Sequence, residues 1–266
     1  MTPRGATPIA SIAINALDPD EQRLWQTVAA IARQLGEDER WCLVGGLMVA
    51  LFAMQGAQGP RVTTDIDVLA NARTRPSGTT WATRRLEEMG ATLAEVDGLD
   101  GPRGFRFELD DQIIDVLAPD GLGRPARTAG KLEAIQIPGG TQALERIEVV
   151  EIVVDGVRSR VRRPTLLGAL LLKARALPVH SRPEDQREDI ITLLALVEDP
   201  DAMRPSLTQA ERRWLRKHRE HARARRPRTA RTIRARTPQS RPRRIPDPGR
   251  LTATRDALTR SPCDVH

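Results

Sequence analysis

Asp65 and Asp67 stand one residue apart in segment 64–70, where polar and apolar residues alternate as in a strand with one apolar face. On such a strand both carboxylates project from the same side. A third aspartate, Asp115, sits inside Ile113-Ile114-Asp115-Val116-Leu117. There it is a poor strand former and costly to bury unless paired or metal-bound. Three carboxylates converging on one point suit Mg²⁺, a hard cation that takes few protein oxygens and leaves its other positions to water and substrate phosphate. Upstream, Gly45-Gly46 stands between an apolar segment, 41–44, and a helix-like one, 47–54. A glycine pair at a helix entrance removes side chains where a phosphate approaches and offers backbone N–H groups at the positive end of the helix dipole.

Each signal has an ordinary alternative when taken alone. An Asp-x-Asp pair also suits the wet face of an edge strand, and Gly-Gly also makes turns. Lys173, one of only three lysines, serves equally as a point charge for phosphate or as the snorkelling end of an apolar helix. Arg182, Asp185 and Asp189 fit an exposed helix face as well as a site. The four histidines have no spaced partners, so no zinc site is expected.

The elements that must position these groups follow from periodicity. A helix is expected over 19–36, with Leu24, Val28, Ile31 and Leu35 on one stripe and Asp18 and Asp20 at its start. A buried strand over 41–44 runs into Gly-Gly and a helix to the loop at 55–60. After the Asp-x-Asp strand come a helix over 79–89, a strand over 91–95, and a hairpin of 105–109 with 112–117 about Asp110-Asp111. A second hairpin, 147–154 with 157–161, turns at Asp155-Gly156. Pro164 reads as the start of a helix over 165–177, followed by one over 183–197 and a basic helix over 207–224. No internal repeat is evident. This is an α+β pattern, a mixed β-sheet flanked by helices, with residues 1–163 as core, 164–224 as a C-terminal helical region and 225–266 as an Arg/Pro-rich tail.

Composition sets the remaining bounds. The 266 residues are 39% hydrophobic and 3% aromatic. The longest apolar stretch, 41–54, is too short and too glycine-broken for a bilayer, and the N-terminus lacks a secretory pattern. With Cys42 and Cys263 far apart in sequence, a cytoplasmic protein without a disulfide framework is expected. The formal charge of +7 is uneven, since residues 201–266 hold 19 of the 42 basic but 6 of the 35 acidic residues. The body is therefore mildly acidic and the tail strongly basic. Past 225, Pro227, Pro238, Pro242, Pro246 and Pro248 stand among arginines with too little apolar content to order that tail, which suits an arm that binds phosphate in a salt-dependent way. A merely solvated charge run has the same composition.

A strand ending in Gly45-Gly46, a helix, the Asp65-x-Asp67 strand and the lone Asp115 together resemble the core of the polymerase-β-type nucleotidyltransferase superfamily. Arg61-Val62-Thr63-Thr64-Asp65-Ile66-Asp67 resembles more closely the branch that contains the AbiEii/AbiGii toxins of type IV toxin–antitoxin systems. Residues 153–173, with the hairpin, Pro164-Thr165-Leu166-Leu167 and Lys173, are similar to that branch's later stretch, and Arg182, Asp185 and Asp189 to its Arg/Asp-rich helix. Differences are Leu47-Met48 after the glycines and the eighteen residues between Gly46 and Asp65. The similarity spans about 41–197.

The resemblance implies transfer of a nucleoside monophosphate from an NTP to an acceptor hydroxyl with release of pyrophosphate. Asp65 and Asp67 would hold two Mg²⁺ (or Mn²⁺) ions. Asp115 would complete the second metal site and accept the hydroxyl proton. Gly45 and Gly46 would cradle the β,γ-phosphates, and Lys173 would place its charge on the triphosphate. Arg61, Thr64 and Asp189 would complete the nucleotide-binding set. RNA, tRNA above all, is the expected acceptor, reached through the basic tail, with an antitoxin protein as a further partner and no membrane. The alternatives are an aminoglycoside-type small-molecule nucleotidyltransferase and a catalytically silent RNA-binding or antitoxin-partner protein.

Overall fold

The computed structural model describes residues 9–15, 18–57, 59, 63–94, 104–180 and 182–224, with side chains through 217. The chain forms two compact units, Met1–Ser206 and Leu207–His266. The first is α+β, as the sequence pattern predicts. It opens with strand β1 (Ser11–Ala13) and helix α1 (Pro19–Leu35). Asp18 caps α1 by accepting the N–H groups of Asp20 and Glu21 at 2.9 Å, and Pro19 occupies the first turn, where its missing N–H costs nothing. Leu24, Trp25, Val28, Ile31, Ala32 and Leu35 form the buried stripe.

Strand β2 (Trp41–Val44) enters α2 (Gly45–Gln55) directly, and then come β3 (Asp65–Ala70), α3 (Gly78–Glu88), β4 (Thr92–Leu93), β5 (Arg106–Leu109) and β6 (Gln112–Pro119). After β7 (Gln136–Ile137) and α4 (Gly140–Leu144), the hairpin β8 (Ile147–Val154) and β9 (Val157–Pro164) leads to α5 (Leu166–Ala176), α6 (Pro183–Ala195) and the short α7 (Pro200–Met203). The main sheet has the order β2-β3-β6-β5-β4, with β7 beside β6. It is mixed, because β3 runs parallel to β6 while β2 and β5 run antiparallel to their neighbours. A second, three-stranded sheet has the order β1-β8-β9, with β1 parallel to β8.

Side chains alternate across β3 and β6, so the main sheet has two covered faces. On one, Ile66, Val68, Ile114 and Val116 join α1, Leu86 of α3 and the second sheet in the larger core. On the other, Leu69 and Leu117 pack with Met48 and Phe52 of α2, Leu172 of α5 and Leu193 of α6. Each fully buried side chain of this size contributes about 1.5–3 kcal/mol of transfer free energy. Helices α5 and α6 thus belong to the unit that contains the sheets.

Two local expectations shift. Pro164 ends β9 instead of starting a helix, because the β8–β9 ladder extends to Ile147↔Pro164; Thr165 then caps α5, its Oγ1 accepting the Gly168 N–H at 3.4 Å. Helix α2 begins at Gly45, so the glycines lie inside its first turn. In the second unit, α8 (Gln209–Ala224) is helical as expected and opens with a reciprocal cap, Thr208 N–H to Glu211 Oε2 at 2.8 Å and Glu211 N–H to Thr208 Oγ1 at 3.2 Å. The expectation for the tail, 225–266, lies outside the described residues. Among the described residues no helix is long and apolar enough to cross a membrane.

Candidate active site

The face of the sheet that carries Leu69 and Leu117 is packed at one end and open at the other. At the open end lies a cleft of about 470 Å³. Strand register explains what lines it. Val44 pairs with Asp67, Asp67 with Asp115, and Asp115 with Arg106, so one rung of the sheet runs through β2, β3, β6 and β5. Asp65 lies two residues before Asp67 on the same face. The three aspartates expected to meet do line one cleft.

Gly45 and Gly46 are required by this arrangement, for a reason the sequence does not give. Gly45 has φ +71°, and a Cβ there would lie 1.7 Å from Asp67 Oδ2. A Cβ on Gly46 would lie 2.7 Å from Thr63 Oγ1. The space vacated by the doublet is therefore filled by Asp67 and Thr63. The first turn of α2 has no side-chain cap, and both glycines face the cleft. Thr64 donates its hydroxyl to Asp65 Oδ1 at 3.2 Å. Arg61 lies outside the described residues.

Asp67 is the electrostatic centre. Burial pushes its carboxyl up to about 7, Lys173 opposes that rise, the charges of Asp115 and Asp65 add to it, and Arg106 opposes it. A carboxyl held this far above its usual range, beside two others, is short of positive charge. Asp115 is not short of it. Arg106 donates Nε to Oδ1 and Nη2 to Oδ2, both at 2.9 Å, a bidentate fork on a side chain only 11% exposed. Its bond to Asp115 in turn holds the Arg106 guanidinium firmly charged.

Across the cleft, Lys173 on α5 pairs with Asp189 on α6, Nζ to Oδ2 at 2.8 Å, with the two side chains 6% and 1% exposed. Both helices present polar groups here because their neighbouring residues, Leu172 and Leu193, are committed to the core. At the mouth, Arg182 pairs with Asp185 at 3.3 Å, and its backbone N–H donates to His180 Nδ1 at 3.1 Å.

The donor set fits a divalent cation in part. Asp65 and Asp67 can share one ion, and a bound cation would favour the charged form of the Asp67 carboxyl that burial disfavours. Asp115 already accepts one Arg106 donor on each of its oxygens. Among the described residues no three acidic, histidine or cysteine side chains stand close enough to share an ion.

Sequence reasoning passed over Arg106, Thr63 and the half-dozen apolar and polar residues that finish the cleft wall, such as Ile137 and Gln186. Arg106 was within reach. A two-residue turn at Asp110-Asp111 fixes Leu109 opposite Gln112, and counting back along both strands puts Arg106 opposite Asp115.

No protein-family model and no curated protein matches the chain. Solved structures do. The antibiotic-resistance factor ANT(2″)-Ia in complex with adenylyl-2″-tobramycin matches at 16% identity and a TM-score of 0.40, over 65% of this chain and 88% of its own. A solution structure of the same factor matches at 19% and 0.40, over 77% and 100%. An antigenic nucleotidyltransferase-like protein from Paracoccidioides brasiliensis matches at 14% and 0.39, over 65% and 76%. Likeness at this level does not establish an activity, which must come from the cleft itself.

Proposed function

We propose that this chain is a metal-dependent nucleotidyltransferase that moves a nucleoside monophosphate from an NTP to an acceptor hydroxyl. The observation that carries the proposal is the rung Asp67–Asp115–Arg106, with Asp65 beside it, lining one cleft with Lys173, which Asp189 pairs from behind the cleft wall. Carboxylates for a cation on one wall and a buried lysine on the other suit a polyphosphate bridging them.

Asp65 and Asp67 would hold Mg²⁺ or Mn²⁺, which when bound supplies positive charge to the triphosphate. Asp189 keeps Lys173 extended toward the cleft, and Lys173 adds charge to the leaving side. Gly45, Gly46 and Thr64 border the phosphates. The acceptor oxygen bonds to the α-phosphorus as the bond from that phosphorus to pyrophosphate breaks. The hydroxyl proton passes to water, since both Asp115 oxygens already accept from Arg106.

For the acceptor we favour RNA of tRNA size, as in the AbiEii-like toxins that the sequence resembles. The support is the basic excess after residue 200, including Arg212, Arg213, Arg216 and Lys217 on α8. An antitoxin partner belongs to the same proposal. Each α-labelled NTP, incubated with Mg²⁺, total RNA and the full chain, tests it. Label in a tRNA-sized band that Asp65→Ala plus Asp67→Ala abolishes is the expected result. Label on an added aminoglycoside instead moves the acceptor class, and RNA retention by wild type and double variant alike, with no transfer, replaces the enzyme by a binding protein.

A further inference from the structure

We infer that Arg106 takes the place of a second metal ion, so that the site works with one divalent cation and one fixed guanidinium. This rests on the nucleotidyl-transfer proposal and departs from the two-ion expectation at one residue.

Arg106 and Asp115 face each other by strand register, which no side-chain rotation alters. The guanidinium is planar and its two donors match the two carboxylate oxygens at equal 2.9 Å distances. A second ion ligated by Asp115 must either displace that fork or share the carboxylate with a fixed positive charge, and it must shed water, which Mg²⁺ does reluctantly. Solvent screens the pair from the arginine's side only, because Asp115 is 8% exposed as a residue whereas the Arg106 side chain is 37% exposed. Charge agrees with geometry. Lys173 is matched by Asp189, so the formal charges of Arg106 and one divalent ion equal those of Asp65, Asp67 and Asp115. An arginine never deprotonates in the working range, so its charge is permanent where a second ion's would depend on occupancy.

The test is Mn²⁺ stoichiometry and electron paramagnetic resonance on the full chain with the α,β-methylene analogues of ATP, GTP, CTP and UTP. Wild type is expected to hold one Mn²⁺ with a mononuclear spectrum in the presence of the analogue that it retains. Arg106→Ala is expected to hold two, with an exchange-coupled spectrum, and Arg106→Gln, which keeps more of the packing, to do the same. Two coupled ions in the wild type overturn the inference, as does one ion in both folded variants. A wild type that retains no analogue, or no Mn²⁺ beside it, overturns the nucleotidyl-transfer proposal itself, so the two failures are distinct. The wild-type measurement stands even where neither variant folds.

Discussion

Two buried cations in the first unit, each paired with a carboxylate, have opposite surroundings. Arg163 on β9 is 2% exposed, donates to Glu148 at 2.9 Å and to Gln55, and lies 3.6 Å over the Phe52 ring. Packing closes it in on the α2 side, and burial pulls its guanidinium down from the usual arginine range against the pull of Glu148. Lys173 is as deeply buried with Asp189, yet its residue lines the cleft. Similar burial and charge serve a fold in one place and a ligand in the other. What separates them is whether the cation still sees open volume.

Variants that exploit this difference span a range of effects. The largest is expected from Asp65→Ala plus Asp67→Ala, a loss of about 10³-fold or more in transfer rate with the fold retained, measured by labelled-NTP turnover beside circular dichroism. Next come the two cations themselves. Arg163→Met should cost about 1–3 kcal/mol in urea unfolding, because Gln55 and the partly exposed Glu148 lose their partner, and should leave KM for NTP near the wild-type value. Lys173→Met should lower kcat/KM about 10²-fold, and its stability loss should be relieved by the double variant Lys173→Met with Asp189→Leu, which must not restore transfer. Equal catalytic losses at Lys173 and Arg163 would erase the distinction.

Gly45→Ala probes the same contrast from the backbone. A methyl at φ +71° pressed into Asp67 should cost about 2–4 kcal/mol and transfer together. The smallest effect concerns pH. The Asp67 carboxyl sits near 7 when folded against an ordinary 3.8, so the folded state binds the extra proton between those values. The contribution of Asp67 to stability is therefore most favourable below about pH 4, falls through that window, and is least favourable above about 7. Asp67→Asn in metal-free buffer should gain on the order of 1–2 kcal/mol at pH 8, after allowing for partial exposure, and nothing at pH 4. Thermal melts at the two pH values check this, and Mg²⁺ should narrow the gap by stabilising the wild type alone.

Most elements were legible because their signals are local. The stripe of α1, the Asp18 cap, the alternation of β3 and the turns at Asp110-Asp111 and Asp155-Gly156 each lie within a few residues. Pro164 was misplaced because a helix-start preference lost to the last rung of the β8–β9 ladder. Strand β1 gave no signal, since three residues pair with Glu151–Val153 across some 140 positions. The meeting of Asp65, Asp67 and Asp115 needed only the guess that β3 and β6 are neighbours.

By itself the sequence determined which residues could carry charge toward a phosphate and which strands and helices would bear them, because propensity, capping and alternation act over one or two turns. Tertiary structure alone decided how those charges are matched: Arg106 on Asp115, Asp189 on Lys173, and Asp67 raised by burial beside two other carboxylates. Such pairings depend on desolvation and on distances between groups far apart along the chain, and both exist only after the sheet and helices have closed around them.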